Sequence, residues 1–176
     1  DAEAAYNVIC QDDVGMLVTV GTGVICIAKK SDGNFVRTSG VGHDVDVGSG
    51  YWIGKEILLK LALNQSIISE DPHLLEIRDI IYKKFEKDNF DEILEYISNN
   101  DDSLALKASI TKDIIEISNH NDVALSVLQE ATYNVADYII NLNQLLDYKN
   151  NNDLVLFGNG GVIRSSIYRR SNNTTI

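Results

Sequence analysis

The chain has 176 residues, of which 44% are hydrophobic, with 26 acidic against 15 basic side chains and a formal net charge of −11. That length and apolar content suit one domain with a real core. The negative surplus argues against nucleic acid and anionic membrane as partners, because both call for basic faces. No segment reaches the ~18 apolar residues of a membrane span. Two cysteines, Cys10 and Cys26, lie in apolar contexts. They read as small buried side chains rather than a disulfide framework, which fits a reducing, cytoplasmic setting. No basic stretch precedes an apolar one at the start, so no signal peptide is expected.

Residues 1–9 carry alanines with Tyr6, Val8 and Ile9 at helical spacing, a helix or its last turns. An apolar run, 16–20, enters the turn Gly21-Thr22-Gly23, and a second, 24–29, leaves it. The pair Asp32-Gly33 favours a hairpin into a third strand at 34–38. The short connections make these strands antiparallel. A glycine-rich loop covers 39–50, and its glycines permit close backbone approach to something bound. From Ser49 to about 64 the spacing turns helical, with Ile53, Ile57, Leu58, Leu61 and Ala62 on one face. A glycine loop opening into a helix presents unpaired N–H groups, an anion site in the making.

Pro72 suits the first turn of the next helix, whose apolar face is Leu74, Ile77, Ile81 and Phe85. A helix at about 90–98 uses Phe90, Ile93, Leu94 and Ile97, and Asn99 to Asp102 break it. Ile110, Ile114 and Ile117 mark another. The longest helix is expected at about 122–148, with a stripe from Ala124 to Leu145 that makes it a central packing element. After a loop, Leu154 to Phe157 form a short apolar strand, expected inside the sheet. It runs into Gly158-Asn159-Gly160-Gly161 and a last helix at about 162–170.

Two glycine turns at strand ends in one acidic α/β domain suggest a nucleotide held by backbone groups. Neither is a Walker motif or the dinucleotide pattern Gly-X-Gly-X-X-Gly. The three histidines, His43, His73 and His120, are far apart and give no metal-ligand spacing. His73 and His120 flank helix boundaries and read as surface residues. His43 lies inside the glycine loop, where shaping the loop is weighed above chemistry.

Taken in order, the motifs resemble a known family. Asp1-Ala2-Glu3-Ala4-Ala5, the strand–Gly21-Thr22-Gly23–strand unit, Gly42-His43 through Gly48-Ser49-Gly50-Tyr51-Trp52-Ile53-Gly54, and Leu156-Phe157-Gly158-Asn159-Gly160-Gly161-Val162 look like an N-acetylglucosamine kinase. That group stands with the benzoyl-CoA-reductase-activator-type (BadF-type) ATPases in the actin-like/hexokinase-like ATPase superfamily. The resemblance implies an α/β lobe of ribonuclease-H type, with a mixed sheet, packed helices and a long central helix. Residues 1–176 would be a single lobe, the second of a two-lobe sugar kinase, cut at both ends. The missing N-terminal lobe would hold the first phosphate motif.

Residue by residue, the resemblance makes Gly21, Thr22 and Gly23 the second phosphate-binding motif and Gly160, Gly161 and Val162 the adenosine-binding turn. Asp1 stands where the family's base on the sugar hydroxyl stands; without the resemblance it reads as a helix N-cap. Gly40, Gly42, His43, Asp46 and Ser49 fall in the sugar-binding stretch, with Asp46 the nearest match to a sugar-contacting carboxylate and Asp44 left open. ATP and Mg²⁺ are the implied cofactors, with no metal ligand assigned in this chain. An amino sugar is the implied substrate, and a homodimer is left open. Two departures bear on the sugar: Val24 replaces the family's usual Ser, and the loop at Asp46-Val47-Gly48-Ser49 is one residue shorter. Two rivals remain, an ATPase lobe driving a partner redox enzyme and a binding module that has lost its chemistry. The cysteines lie in no cluster-binding setting, which weighs against the first.

Overall fold

The structure, a computed structural model, describes residues 2–11, 15–147 and 154–164. Helix α1 (Ala2–Cys10) precedes strands β1 (Gly15–Val20), β2 (Val24–Lys29) and β3 (Phe35–Arg37). Five helices follow: α2 (Gly50–Leu63), α3 (Pro72–Phe85), α4 (Phe90–Ser98), α5 (Ser103–Ile117) and α6 (Asp122–Gln144), and then strand β4 (Val155–Asn159). The sheet runs β3-β2-β1-β4, antiparallel except for the parallel pair β1 and β4. The expected mixed sheet is therefore present, and the first three strands are antiparallel as expected.

Strand alternation decides what each face covers. Met16, Val18, Val20, Val24, Cys26 and Ala28 belong to the large core shared with α2 to α6. Leu17 and Ile27 point the other way and pack with Tyr6 and Cys10 of α1, joined by Phe35 and Phe157. The result is a sheet between one short helix and a group of five, with its central strands β1 and β2 mostly buried.

Helix starts follow capping chemistry. Ser49, Asp71, Asn89 and Asn121 each accept a hydrogen bond from an N–H in the first turn that follows. Helix α2 crosses α5 at Gly54, where a Cβ would collide with the Lys107 carbonyl oxygen. Beside that crossing the buried Thr111 Oγ1 donates to Gly50 O at 2.7 Å.

Three expectations are corrected. Among the described residues β4 has β1 as its one neighbour and is an edge strand, not an interior one. With a partner on one side only, Val155 and Leu156 stay 44% and 40% exposed despite their apolar character. Helix α6 ends at Gln144, and Leu145 caps it, half exposed beyond the reach of the core, rather than continuing the buried stripe. Ala62 is exposed because the buried arc of α2 narrows after Leu61. Residues 161–164 form turns, and the rest of the helix expected at 162–170 lies outside the described residues, as does Asp1.

Candidate functional site

Because β1 and β4 are parallel, both strands end at the same edge of the sheet. That register brings together two glycine turns that are far apart in sequence. The first, Gly21-Thr22-Gly23, is closed by Gly21 N–H donating to Gly23 O at 2.9 Å. The second is clamped to the end of β1, with Val162 N–H donating to Val20 O at 3.1 Å. Gly160 has φ +102, and a Cβ there would collide with the Val20 carbonyl oxygen, so only glycine lets the second turn come this close.

The start of α2 does not keep free N–H groups for an anion, contrary to the sequence expectation. Gly50 N–H donates to Gly21 O at 2.7 Å and Tyr51 N–H to Thr22 O at 3.1 Å. Trp52 N–H donates to Ser49 Oγ at 3.1 Å, and Ile53 N–H to Ser49 O at 2.9 Å. The helix start thus anchors the first turn through its carbonyls. Ser49, buried, is a cap at this junction. The turn itself remains at the surface, and the Thr22 side chain is exposed.

Two cavities meet at this turn. The larger, about 660 Å³, lies between Gly21, Thr22 and Gly50, the Gly161-Val162 turn with Arg164, and one face of α5. The smaller, about 340 Å³, is lined by Thr19, the turn from Gly21 to Gly23, Val24 and Ile25, and the loop residues Gly40, Gly42, His43, Asp46 and Ser49. Gly21 and Thr22 belong to both. Every nucleotide- or sugar-site residue expected from the sequence within the described chain therefore lies at this edge.

The loop carrying the sugar-side residues is braced from within. Asp46 is 5% exposed, and its Oδ2 accepts from Gly40 N–H at 3.1 Å and Gly42 N–H at 2.8 Å. Asp44, the alternative carboxylate, has its side chain 86% exposed, accepts from Tyr51 Oη at 3.3 Å and lies 4.0 Å from Lys55 Nζ. Of the two, Asp46 lines the smaller cavity. His43 sits half-buried with its ring edge-on to Tyr51, centroids 5.5 Å apart, and beside Gly23. Under the loop, burial pushes the Cys26 thiol up to about 11, with the Ser39 hydrogen bond opposing and the Asp46 carboxylate adding to the rise. Cys26 N–H donates to Ser39 Oγ at 2.8 Å, which ties the loop's entry to β2.

His73 and His120 line neither cavity and sit where α3 meets the start of α6. His120 Nε2 stands 2.9 Å from Glu76 Oε1, and Asn121 Nδ2 donates to Glu76 Oε2 at 2.9 Å. Among the described residues no group of three or more His, Cys, Asp or Glu is placed to hold a metal ion. No described helix is long and apolar enough to cross a membrane.

The sequence reading missed the α5 wall. Ala105, Ala108, Ser109, Lys112 and Glu116 line the larger cavity, on the side of α5 away from its buried Ile110 and Ile114. The signal was there as small and polar residues at helical spacing, but it was overshadowed by the isoleucine stripe.

A mixed sheet in this order with helices on both faces has the architecture of the actin-like ATPase fold. Solved structures agree. A proposed N-acetylglucosamine kinase from Porphyromonas gingivalis superposes with a TM-score of 0.71 at 18% identity, over 96% of this chain and 56% of its own. One from Chromobacterium violaceum gives 0.68 at 19% identity, over 89% of this chain and 50% of its own. An N-acetylmuramic acid/N-acetylglucosamine kinase from Clostridium acetobutylicum is 30% identical over 172 residues, which is 96% of this chain and 54% of that protein. No protein-family model matches. The resemblance to the N-acetylglucosamine kinases thus extends over nearly the whole chain, and the chain spans about half the length of the relatives it matches.

Proposed function

We propose that this chain is one lobe of an ATP-dependent amino-sugar kinase, which transfers the γ-phosphoryl group of ATP to a hydroxyl of an N-acetylglucosamine-like sugar. The observation that carries the reading is the meeting of two cavities at one exposed hydroxyl-bearing turn. At about 660 Å³ the larger cavity falls within the size range of small-molecule sites, which supports the reading of it as a nucleotide site. In this reading the adenosine lies against Gly160, Gly161 and Val162 and the α5 face, and its phosphates reach Gly21, Thr22 and Gly23. The sugar occupies the smaller cavity. There Asp46 Oδ2 is engaged by loop N–H groups, which leaves Oδ1 to accept from a sugar hydroxyl.

Phosphoryl transfer needs positioning and charge neutralisation more than covalent help from the protein. The Thr22 hydroxyl and the turn's backbone orient phosphate oxygens without adding positive charge. Mg²⁺ carried on the phosphates would neutralise them in so acidic a chain, and no described cluster of this chain holds it. Asp1 takes the proton of the acceptor hydroxyl as that oxygen bonds to the γ-phosphorus; the bond from the γ-phosphorus to the bridging oxygen breaks, and ADP leaves. A second lobe would close over both cavities and exclude water.

A coupled ADP-release assay on the full-length protein, run over a panel of amino sugars, tests the reading. Sugar-dependent release is the expected result. Sugar-independent release would instead indicate an ATPase driving a partner, and no release a binding module. The chain by itself is expected to phosphorylate no sugar.

A further inference from the structure

The loop that brings Asp46 to the smaller cavity has neither helix nor strand from Thr38 to Gly48, yet it is fixed to α6 at three points. Thr38 Oγ1 donates to the Tyr138 carbonyl oxygen at 2.7 Å. Val47 N–H donates to Tyr138 Oη at 2.9 Å. Gly48, at φ +96, lies so close to α6 that a Cβ would stand 2.6 Å from Ala131 O and 2.8 Å from Val135 Cγ2. One residue of α6 therefore holds both ends of the loop, the near end through its backbone and the far end through its side chain.

We propose that Tyr138 is a positioning residue for the acceptor pocket, its hydroxyl fixing Val47 and thereby the stance of the adjoining Asp46 against the Gly21-Thr22-Gly23 turn. The inference rests on the reading of the smaller cavity as the amino-sugar site. Two features distinguish this hydroxyl from one that merely fills space. Its partner is the backbone of the residue next to the lining carboxylate. Asp46 in turn holds Gly40 and Gly42 through its own Oδ2, so a shift at Val47 passes to the cavity wall. Burial raises the Tyr138 phenol above its ordinary range, with the Val47 hydrogen bond opposing, so the hydroxyl stays protonated through neutral pH.

The test is Tyr138→Phe in the full-length protein, which keeps the ring packed and removes the hydroxyl alone. Loss of one such bond predicts an about three- to tenfold rise in the KM for N-acetylglucosamine. The KM for ATP and kcat at saturation should hold within about twofold. Hydrogen exchange read by mass spectrometry should quicken in peptides covering 39–48 and stay unchanged in α2 and α5. A fall in kcat with no change in sugar KM means a structural role only and overturns the proposal, as does unaltered exchange in the loop. If the unsubstituted protein phosphorylates no amino sugar, the functional reading fails first, and that failure shows before any substitution is made.

Discussion

Gly54→Ala tests the closest approach in the helical layer. The added methyl would lie against the Lys107 carbonyl oxygen, and Gly54 is buried on α2 where it crosses α5. A carbonyl inside a helix cannot turn aside as a flexible side chain can, so the strain must be met by moving one helix off the other. Overpacking of this kind costs about 1–3 kcal/mol, and a backbone obstacle belongs at the upper end. Against it, alanine in a helix interior is favoured over glycine by about 0.5–1 kcal/mol. The net loss is about 1–2.5 kcal/mol, which for a domain of this size lowers Tm by about 2–10 °C. Gly21→Ala is the control, since nothing stands within 4 Å of a Cβ there. Urea denaturation of both variants beside the parent, with thermal melts, reads the difference. If Gly54→Ala is as stable as Gly21→Ala, the α2–α5 crossing is looser than the structure shows, and the close-approach argument fails.

Two catalytic-side substitutions in the full-length protein should fail differently. Asp1→Asn should lower kcat by about 10²–10⁴-fold with nucleotide affinity unchanged, whereas Thr22→Val should weaken nucleotide binding about ten- to a hundredfold. Direct nucleotide titration beside kinetics separates them, and near-full turnover in Asp1→Asn would leave Asp1 a helix cap. The third prediction concerns pH. The Asn121 and His120 hydrogen bonds hold Glu76 below the usual carboxylate range, so its contribution to stability is complete above the unfolded value and lost as pH falls through the lowered folded one. Glu76→Gln should therefore flatten stability in that acid window. A steep acid limb that survives the substitution would assign the loss to other carboxylates.

Much of the fold was legible because local rules and burial agreed. Pro72 opens α3, the break from Asn99 to Asp102 separates α4 from α5, and the stripe read from Ala124 is buried along α6 as far as Leu142. The errors fall where a residue's surroundings come from chain distant in sequence. Leu154 to Phe157 carry the composition of an interior strand, but composition does not state how many neighbours a strand has. The α2 start looked open because its docking on the carbonyls of Gly21 and Thr22 depends on tertiary contact. The α5 wall was hidden for the same reason. Its isoleucines announced a buried face, and nothing local told that the small residues opposite them border a cavity.

The two glycine turns were visible in the sequence, whereas the parallel pairing of β1 with β4 that brings them together is a finding of the structure. A glycine turn after either strand alone is most often a simple reversal. Once the two strands run side by side in the same direction, both turns must emerge at one edge, and the Val162 N–H bond to Val20 O holds them in contact. The edge where parallel strands end is where α/β folds generally bind ligands. In this chain the first turn also forms the partition between two cavities, so a group bound at Thr22 touches both. A reaction that moves a phosphoryl group from one bound molecule to another needs that arrangement, and simple nucleotide hydrolysis does not need the second cavity. Asp46, buried among glycine N–H groups at the wall of that second cavity, is therefore the residue on which the proposal of a kinase over an ATPase rests most heavily.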